Sequence, residues 1–249
     1  MPTWSIISHV RQHPMLFTSA VAIVPLMALM MPWYRGFIEL GPGGLPHNVF
    51  GWLIQGALRP LAMNSTVDRS VFQKPGISSA YEPHGTTRFL QGELAPRRGD
   101  RPTIPNYVAP QRQITEKGDE ALVNKMNSHL RDLANHRPET LAVKASGLEA
   151  RDHPALWLVG APLPKFLAKT TKGEIVHVHP EASSHMVLSL SDAEEAIAKG
   201  WAELHPLSGV LGLIPLPYVI VYAPRDEEEF GVWTRFVDAA VAFTTAEQN

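Results

Sequence analysis

Four of the eleven histidines fall within residues 177–205, and their spacing is chemically suggestive. His177-Val-His179 reads as part of a strand, where side chains alternate with period two, so both imidazoles share one face. The linker 180–184, Pro-Glu-Ala-Ser-Ser, is short enough to reverse the chain and let His185 open a neighbouring antiparallel strand. His205 follows in Leu204-His-Pro-Leu207. Two chemistries use such a set. Neutral imidazoles ligate iron, zinc, copper or manganese, and a face of His177, His179 and His185 leaves positions open for substrate and dioxygen. Alternatively, one imidazole is a general base near neutral pH while the others orient a substrate. Spacing alone also leaves open a purely structural role, with each ring satisfied by hydrogen bonds.

Other candidates are softer. Arg112, in Gln111-Arg-Gln113, has the chemistry to hold an anionic oxygen, although a surface arginine is the ordinary reading. Arg225 precedes the acidic run 227–229, which suits a helix start through its dipole. Trp201, after Gly200, would line a pocket or fill core. The sequence contains no P-loop, dinucleotide fingerprint or G-x-S-x-G elbow.

The elements that must position these residues are legible from periodicity. Strands are expected over 141–143, 155–159, 174–179, 185–190 and 218–222. An amphipathic helix is expected over 118–136, with Leu122, Met126, Leu130 and Leu133 on one stripe, ending before Arg137-Pro138. A second should start at Ser191 with the capping box Ser191-x-x-Glu194, and a third near Asp226 with Asp226-x-x-Glu229. Strands with helices interspersed and short links indicate an α+β fold with a mainly antiparallel sheet and packed helices.

Composition narrows the function. With 22 basic and 24 acidic residues, the chain lacks the basic excess that nucleic-acid binding needs. It has no cysteine, which excludes disulfides, thiolate nucleophiles and cysteine-ligated metals. Prolines and glycines crowd residues 32–110, so 36–112 reads as an irregular strap. Within it, 48–62 has the composition of a helix lying in a membrane interface or packing on the catalytic domain.

Residues 15–31, MLFTSAVAIVPLMALMM, carry no charge. As a helix they span roughly 25 Å, close to the hydrocarbon thickness of a bilayer, and Trp33, Tyr34 and Arg35 follow as at a membrane–water boundary. A single N-terminal transmembrane helix within residues 1–35 is therefore expected, with membrane-associated localisation, in endomembranes such as the ER. A cleaved signal or a buried core helix are the alternatives.

Several segments together carry a resemblance. Glu174-Ile-Val-His-Val-His179, Ser184-His-Met-Val-Leu-Ser-Leu190, Lys199-Gly-Trp201, His205-Pro-Leu207 and Tyr222-Ala-Pro-Arg-Asp-Glu-Glu-Glu229 resemble the luciferase of bioluminescent fungi and its wider family. Phe37-Ile-Glu-Leu-Gly-Pro42, Arg101-Pro-Thr-Ile104 and Gln111-Arg-Gln113 extend the likeness upstream. The resemblance implies that 113–249 is a luciferase-like catalytic domain. It implies oxidation of a 3-hydroxy-pyranone luciferin, 3-hydroxyhispidin, by O2 through a cyclic peroxide, with release of CO2 and light. Carried over, His177, His179, His185 and His205 surround the pyranone. Arg112 or Arg225 then stabilises an oxyanion, and Trp201 and Tyr222 keep the pocket dry. No obligatory cofactor is implied beyond O2 as co-substrate; a tightly bound divalent metal at the histidines is compatible with the residues. A non-luminous homologue acting on another phenolic or polyketide substrate, and a membrane-tethered binding protein, are the other readings.

Overall fold

The computed structural model describes residues 28–149, 153–160 and 162–246. Most of the expected N-terminal membrane segment, up to residue 27, lies outside them. Residues 28–39 are helical. Among the described residues no helix is long and apolar enough to cross a membrane. The chain divides after Gly41, into a unit ending there and a second unit, Pro42–Asn249. The division falls between Gly41 and Pro42.

The second unit is α+β, built on a six-stranded sheet of order β1-β2-β3-β4-β6-β5. The strands are β1 Leu141–Ala145, β2 Pro154–Leu158, β3 Glu174–Val178, β4 Ser184–Val187, β5 Ala202–Leu204 and β6 Tyr218–Val221. Every pairing is antiparallel. The three-residue edge strand β5 is too short to announce itself by alternation. The longer helices are α1 Val49–Leu58, α2 Glu120–His136, α4 Leu190–Ala198 and α5 Glu227–Thr245, with a single-turn α3 at Lys165–Lys169.

Caps explain the helix starts. Asp119 and Asp226 accept from the backbone N–H of Leu122 and Glu229 respectively, as carboxylates at N-caps do. The helix expected to start at Ser191 starts earlier. Ser189 is its cap, accepting from the Asp192 N–H, while the Ser191 hydroxyl donates to the Thr86 carbonyl. Tertiary structure decides between the two serines. The Asp192 carboxylate accepts from the N–H groups of Phe89 and Leu90 at 3.0 and 3.1 Å, tying the strap to α4.

Register sorts the two faces of the sheet. Val176 pairs with Met186, Val178 with Ser184, and both Met186 and Ser184 pair onward with Val219 and Val221. This face is apolar and belongs to the main core with Trp233, Phe236 and Val237 of α5. The Trp233 indole donates to Ser184 Oγ at 2.9 Å. The opposite face carries His177, His185, Tyr218, Ile220 and Glu203, because His177 pairs with His185 and His185 with Ile220. The strap covers part of that face, since Gln111 reaches His185. Helix α1 turns Gly51, Trp52 and Gln55 inward and leaves Phe50 and Leu53 exposed at 68% and 52%.

Candidate active site

Three of the four histidines meet. His177 and His179 approach through their Nε2 atoms at 3.2 Å. The His185 Nδ1 lies 3.1 Å from His179 Nε2 and 3.3 Å from His177 Nε2. All three side chains are buried. Strand pairing accounts for His177 beside His185. A tight turn brings His179 in: its carbonyl accepts from the Ala182 N–H, its N–H donates to the Ser183 carbonyl, and Ala182 sits at φ 68°.

Each ring is held from behind. His177 Nδ1 lies 2.7 Å from Glu174 Oε1. His179 Nδ1 lies 2.7 Å from Ser183 Oγ, which donates to Glu181 at 2.5 Å. His185 Nε2 lies 2.9 Å from Gln111 Oε1. The Gln111 amide group donates in turn to the Leu204 carbonyl at 3.0 Å and to Glu203 at 3.3 Å. Burial, then the neighbouring histidines, holds His185 well below the ordinary imidazole pKa. Burial also lowers His179, against the pull of Glu181. Burial opposes ionisation of Glu181, but His179, Ser183 and Arg112 outweigh it and leave that carboxyl lowered.

His205 stands beside the trio rather than in it, with its ring 5.6 Å from that of His185. Its Nδ1 accepts from the Leu207 N–H at 3.1 Å. Burial, then the neighbouring His177 and His179, lowers its pKa to about 3. The ring is therefore neutral near pH 7, with its proton on Nε2.

Glu149 was not singled out by the sequence. It follows β1, and its Oε2 lies 3.8 Å from His177 Nε2 and 3.9 Å from His179 Nε2. Its other oxygen accepts from Arg112 Nη2 in a short contact. Arg112 is thus no surface residue: it is buried, and it also donates to the Pro42 carbonyl at 2.6 Å. Tyr218 is the second addition. Its ring stacks on His185 at 4.8 Å, and burial raises its phenol well above the ordinary value, so it stays a neutral donor.

A cavity of about 300 Å³ opens onto His185, His205, Gln111, Glu149 and Tyr218. Its remaining wall is largely apolar, including Leu58, Val108, Leu207 and Ile214. That volume is at the lower end of small-molecule sites, which run from roughly 300 to 1,000 Å³.

Three residues expected around the substrate lie elsewhere. Trp201 donates its indole N–H to the Ala95 carbonyl and faces a different cleft, with Glu228 and Arg235. Arg225 is held by Glu229 and donates to the Arg98 carbonyl at 2.7 Å, beside a third cleft. Tyr222 is buried, donates to Glu203 at 3.0 Å, and is reached by Arg101 at 3.2 Å. Its link to the histidines runs through Glu203 and Gln111.

Comparison with known proteins converges on one group. A family model described as a luciferase domain matches residues 172–240, which contain β3 to β6 and all four histidines. Over 247 residues the chain is 27% identical to a luciferase of Armillaria ostoyae, covering 92% of this chain and 88% of that protein. Over 229 residues it is 29% identical to a luciferase of Neonothopanus nambi, covering 85% and 80%. The chain is a relative of the fungal luciferases over most of its length, and its residues 172–240 match their shared domain. No solved structure matches it. These relatives support an enzyme of luciferase type, which implies a small-molecule substrate. Gln111, Arg112 and Glu149 lie upstream of the matched domain, so the family model and the site overlap only in part.

Proposed function

We propose that this relative of the fungal luciferases oxidises a 3-hydroxy-2-pyranone luciferin with O2, releasing CO2 and light. The observation that carries the reading is an apolar cavity ending on buried, neutral histidines, with a carboxylate beside them. Substrate plus O2 balances product plus CO2, so no external reductant is required. An aromatic, largely apolar substrate loses its hydration on entering such a cavity, and an acidic hydroxyl needs an acceptor at the far end.

Glu149 is suited to that task. One of its oxygens is occupied by Arg112 while Oε2 faces the histidine nitrogens, so it takes the 3-hydroxyl proton. The resulting enolate is electron-rich enough to react with dioxygen. His205 Nε2–H and the Tyr218 hydroxyl are neutral donors on the cavity wall, placed to hold oxygen atoms that gain negative charge. The same apolar wall keeps water from an excited product.

The test is photon counting on purified protein given 3-hydroxyhispidin in air and under anaerobic conditions, with O2 uptake followed in parallel. Oxygen-dependent light supports the reading. Oxygen uptake in the dark identifies a non-luminous homologue, and neither signal leaves a binding protein. We also propose attachment to a membrane, supported by the uncharged run 15–31 and the outward Phe50 and Leu53 of α1. Flotation of the full chain with phospholipid vesicles tests it; recovery entirely in the unbound fraction would reject it.

A further inference from the structure

The donors and acceptors of the trio can be counted. Glu174 is an acceptor: besides His177 Nδ1 at 2.7 Å it receives Ser146 Oγ–H and the Gly147 N–H, both at 2.8 Å. His177 therefore carries its hydrogen on Nδ1. The Ser183 hydroxyl hydrogen is given to Glu181, so Ser183 Oγ accepts from His179 and that ring too is protonated at Nδ1. The Gln111 amide nitrogen is committed to Leu204 and Glu203, which turns its oxygen toward His185 and puts that ring's hydrogen on Nε2.

The inner atoms, His177 Nε2, His179 Nε2 and His185 Nδ1, are then three bare lone pairs at mutual distances of 3.1–3.3 Å. With the three rings neutral and protonated on their outer nitrogens, no hydrogen lies on any of the three edges. One added proton would join only two of the nitrogens and leave the third opposed. A single multivalent cation satisfies all three together. Bonds of about 2.0–2.1 Å to imidazole put adjacent ligand atoms roughly 2.9–3.4 Å apart, the spacing found here. Outer-nitrogen bonds to a carboxylate, a hydroxyl and an amide oxygen are the supports that orient metal-binding imidazoles.

We infer that His177, His179 and His185 bind one divalent first-row transition-metal ion through Nε2, Nε2 and Nδ1, with its open positions toward the cavity. Three imidazoles in a chain without cysteine select against calcium and magnesium, which take oxygen ligands. Glu174, Glu181 and Glu149, all buried around the trio, offset the ion's charge. Glu149 Oε2 lies close enough to that open side to take a proton from a hydroxyl bound there. Binding of the ion is inferred from the cluster alone; its use in oxidising a hydroxypyranone rests on the reading proposed above.

The experiment uses the full chain, first assayed for bound metal, then stripped with chelator and titrated with cobalt(II) by visible absorption. One cobalt per chain is expected, with d–d bands shifted from those of the aqueous ion. His185→Asn should bind cobalt at least about 100-fold more weakly, and Gln111→Leu, which removes the support behind His185 but no metal ligand, about 10–100-fold more weakly. Folding of each variant is checked by circular dichroism; should His185→Asn not fold, Gln111→Leu decides. Folded protein that takes up no cobalt, or folded variants that bind it as the parent does, would overturn the inference. The readout needs no substrate. A protein that binds cobalt yet never oxidises the luciferin defeats the catalytic reading and leaves the metal site standing.

Discussion

The Glu174 carboxylate receives the Nδ1–H of His177 at 2.7 Å with one oxygen and the N–H of Gly147 at 2.8 Å with the other. One buried side chain therefore sets the orientation of a site histidine and anchors the loop that carries Glu149. The loop is fixed further by the Ser146 hydroxyl, which accepts from the Glu149 N–H at 2.9 Å. Glu174→Gln keeps the volume but turns an acceptor into a partial donor, which must face either an imidazole N–H or a backbone N–H. We expect activity to fall by about 10–100-fold and stability by about 1–3 kcal/mol. Turnover and denaturant midpoints measured on the same preparation check both. Unchanged turnover would detach Glu174 from the site.

Arg112 and Glu149 form a buried ion pair, with side chains 4% and 5% exposed. Removing one partner from such a pair leaves an uncompensated charge and typically costs about 3–5 kcal/mol. Arg112→Met should destabilise the protein by that order, whereas Arg112→Met with Glu149→Gln should recover a large part of the loss. Strict additivity in this double-mutant cycle would show that the two side chains do not depend on one another. Both variants should be nearly inactive, since the proposed proton acceptor is misplaced in one and absent in the other.

His205 supplies a pH signature. Its folded pKa of about 3 lies below the ordinary 6.5, so the folded state disfavours the charged ring. Stability from this group is fully present above pH 6.5 and is lost as pH falls toward 3, because only the unfolded chain takes up the proton. The slope is about 1.4 kcal/mol per pH unit for one such group. His185, also well below the ordinary value, adds to it. Urea midpoints of chelator-treated protein should drop steadily from pH 6.5 to 4.5. His205→Gln should remove about one group's share of the slope, and an unaltered slope would refute the assignment.

The meeting of His177, His179 and His185 was legible because two short-range rules suffice: alternation along β3 and a five-residue reversal. The cap at Asp226 was legible for the same reason, whereas the cap at Asp119 was not singled out in a helix read as starting at Gly118. Glu149 and Gln111 were not. Glu149 reaches the histidines only through the β1–β2–β3 register, and Gln111 through the path of an irregular strap, and neither leaves a periodic trace. Ser189 and Ser191 both precede an acidic residue by three positions, and only the contact of Asp192 with Phe89 and Leu90 separates them. Arg225 was placed at the site by the resemblance alone. A salt bridge to Glu229, one helical turn away, turns it outward instead.

Gly43 offers a test that alters the site without touching its chemistry. A Cβ at this position would sit 2.3 Å from Glu149 Oε1 and 2.9 Å from Arg112 Nη2. Both are far closer than van der Waals contact allows, so Gly43→Ala must displace the carboxylate, the guanidinium or both. Gly43 also lines the cavity, where an added methyl takes up room at the small end of the usual range. The protein should fold, at a cost of about 1–3 kcal/mol from overpacking. Turnover should fall at least about 10-fold, because an ångström of misplacement at a proton acceptor is expensive. The comparison that matters is with Gly56→Ala on α1, where an added Cβ meets nothing within 4 Å. Gly56→Ala should match the parent in turnover. If Gly43→Ala does so too, with its structure intact, the Glu149–Arg112 pair is not the group that takes the proton.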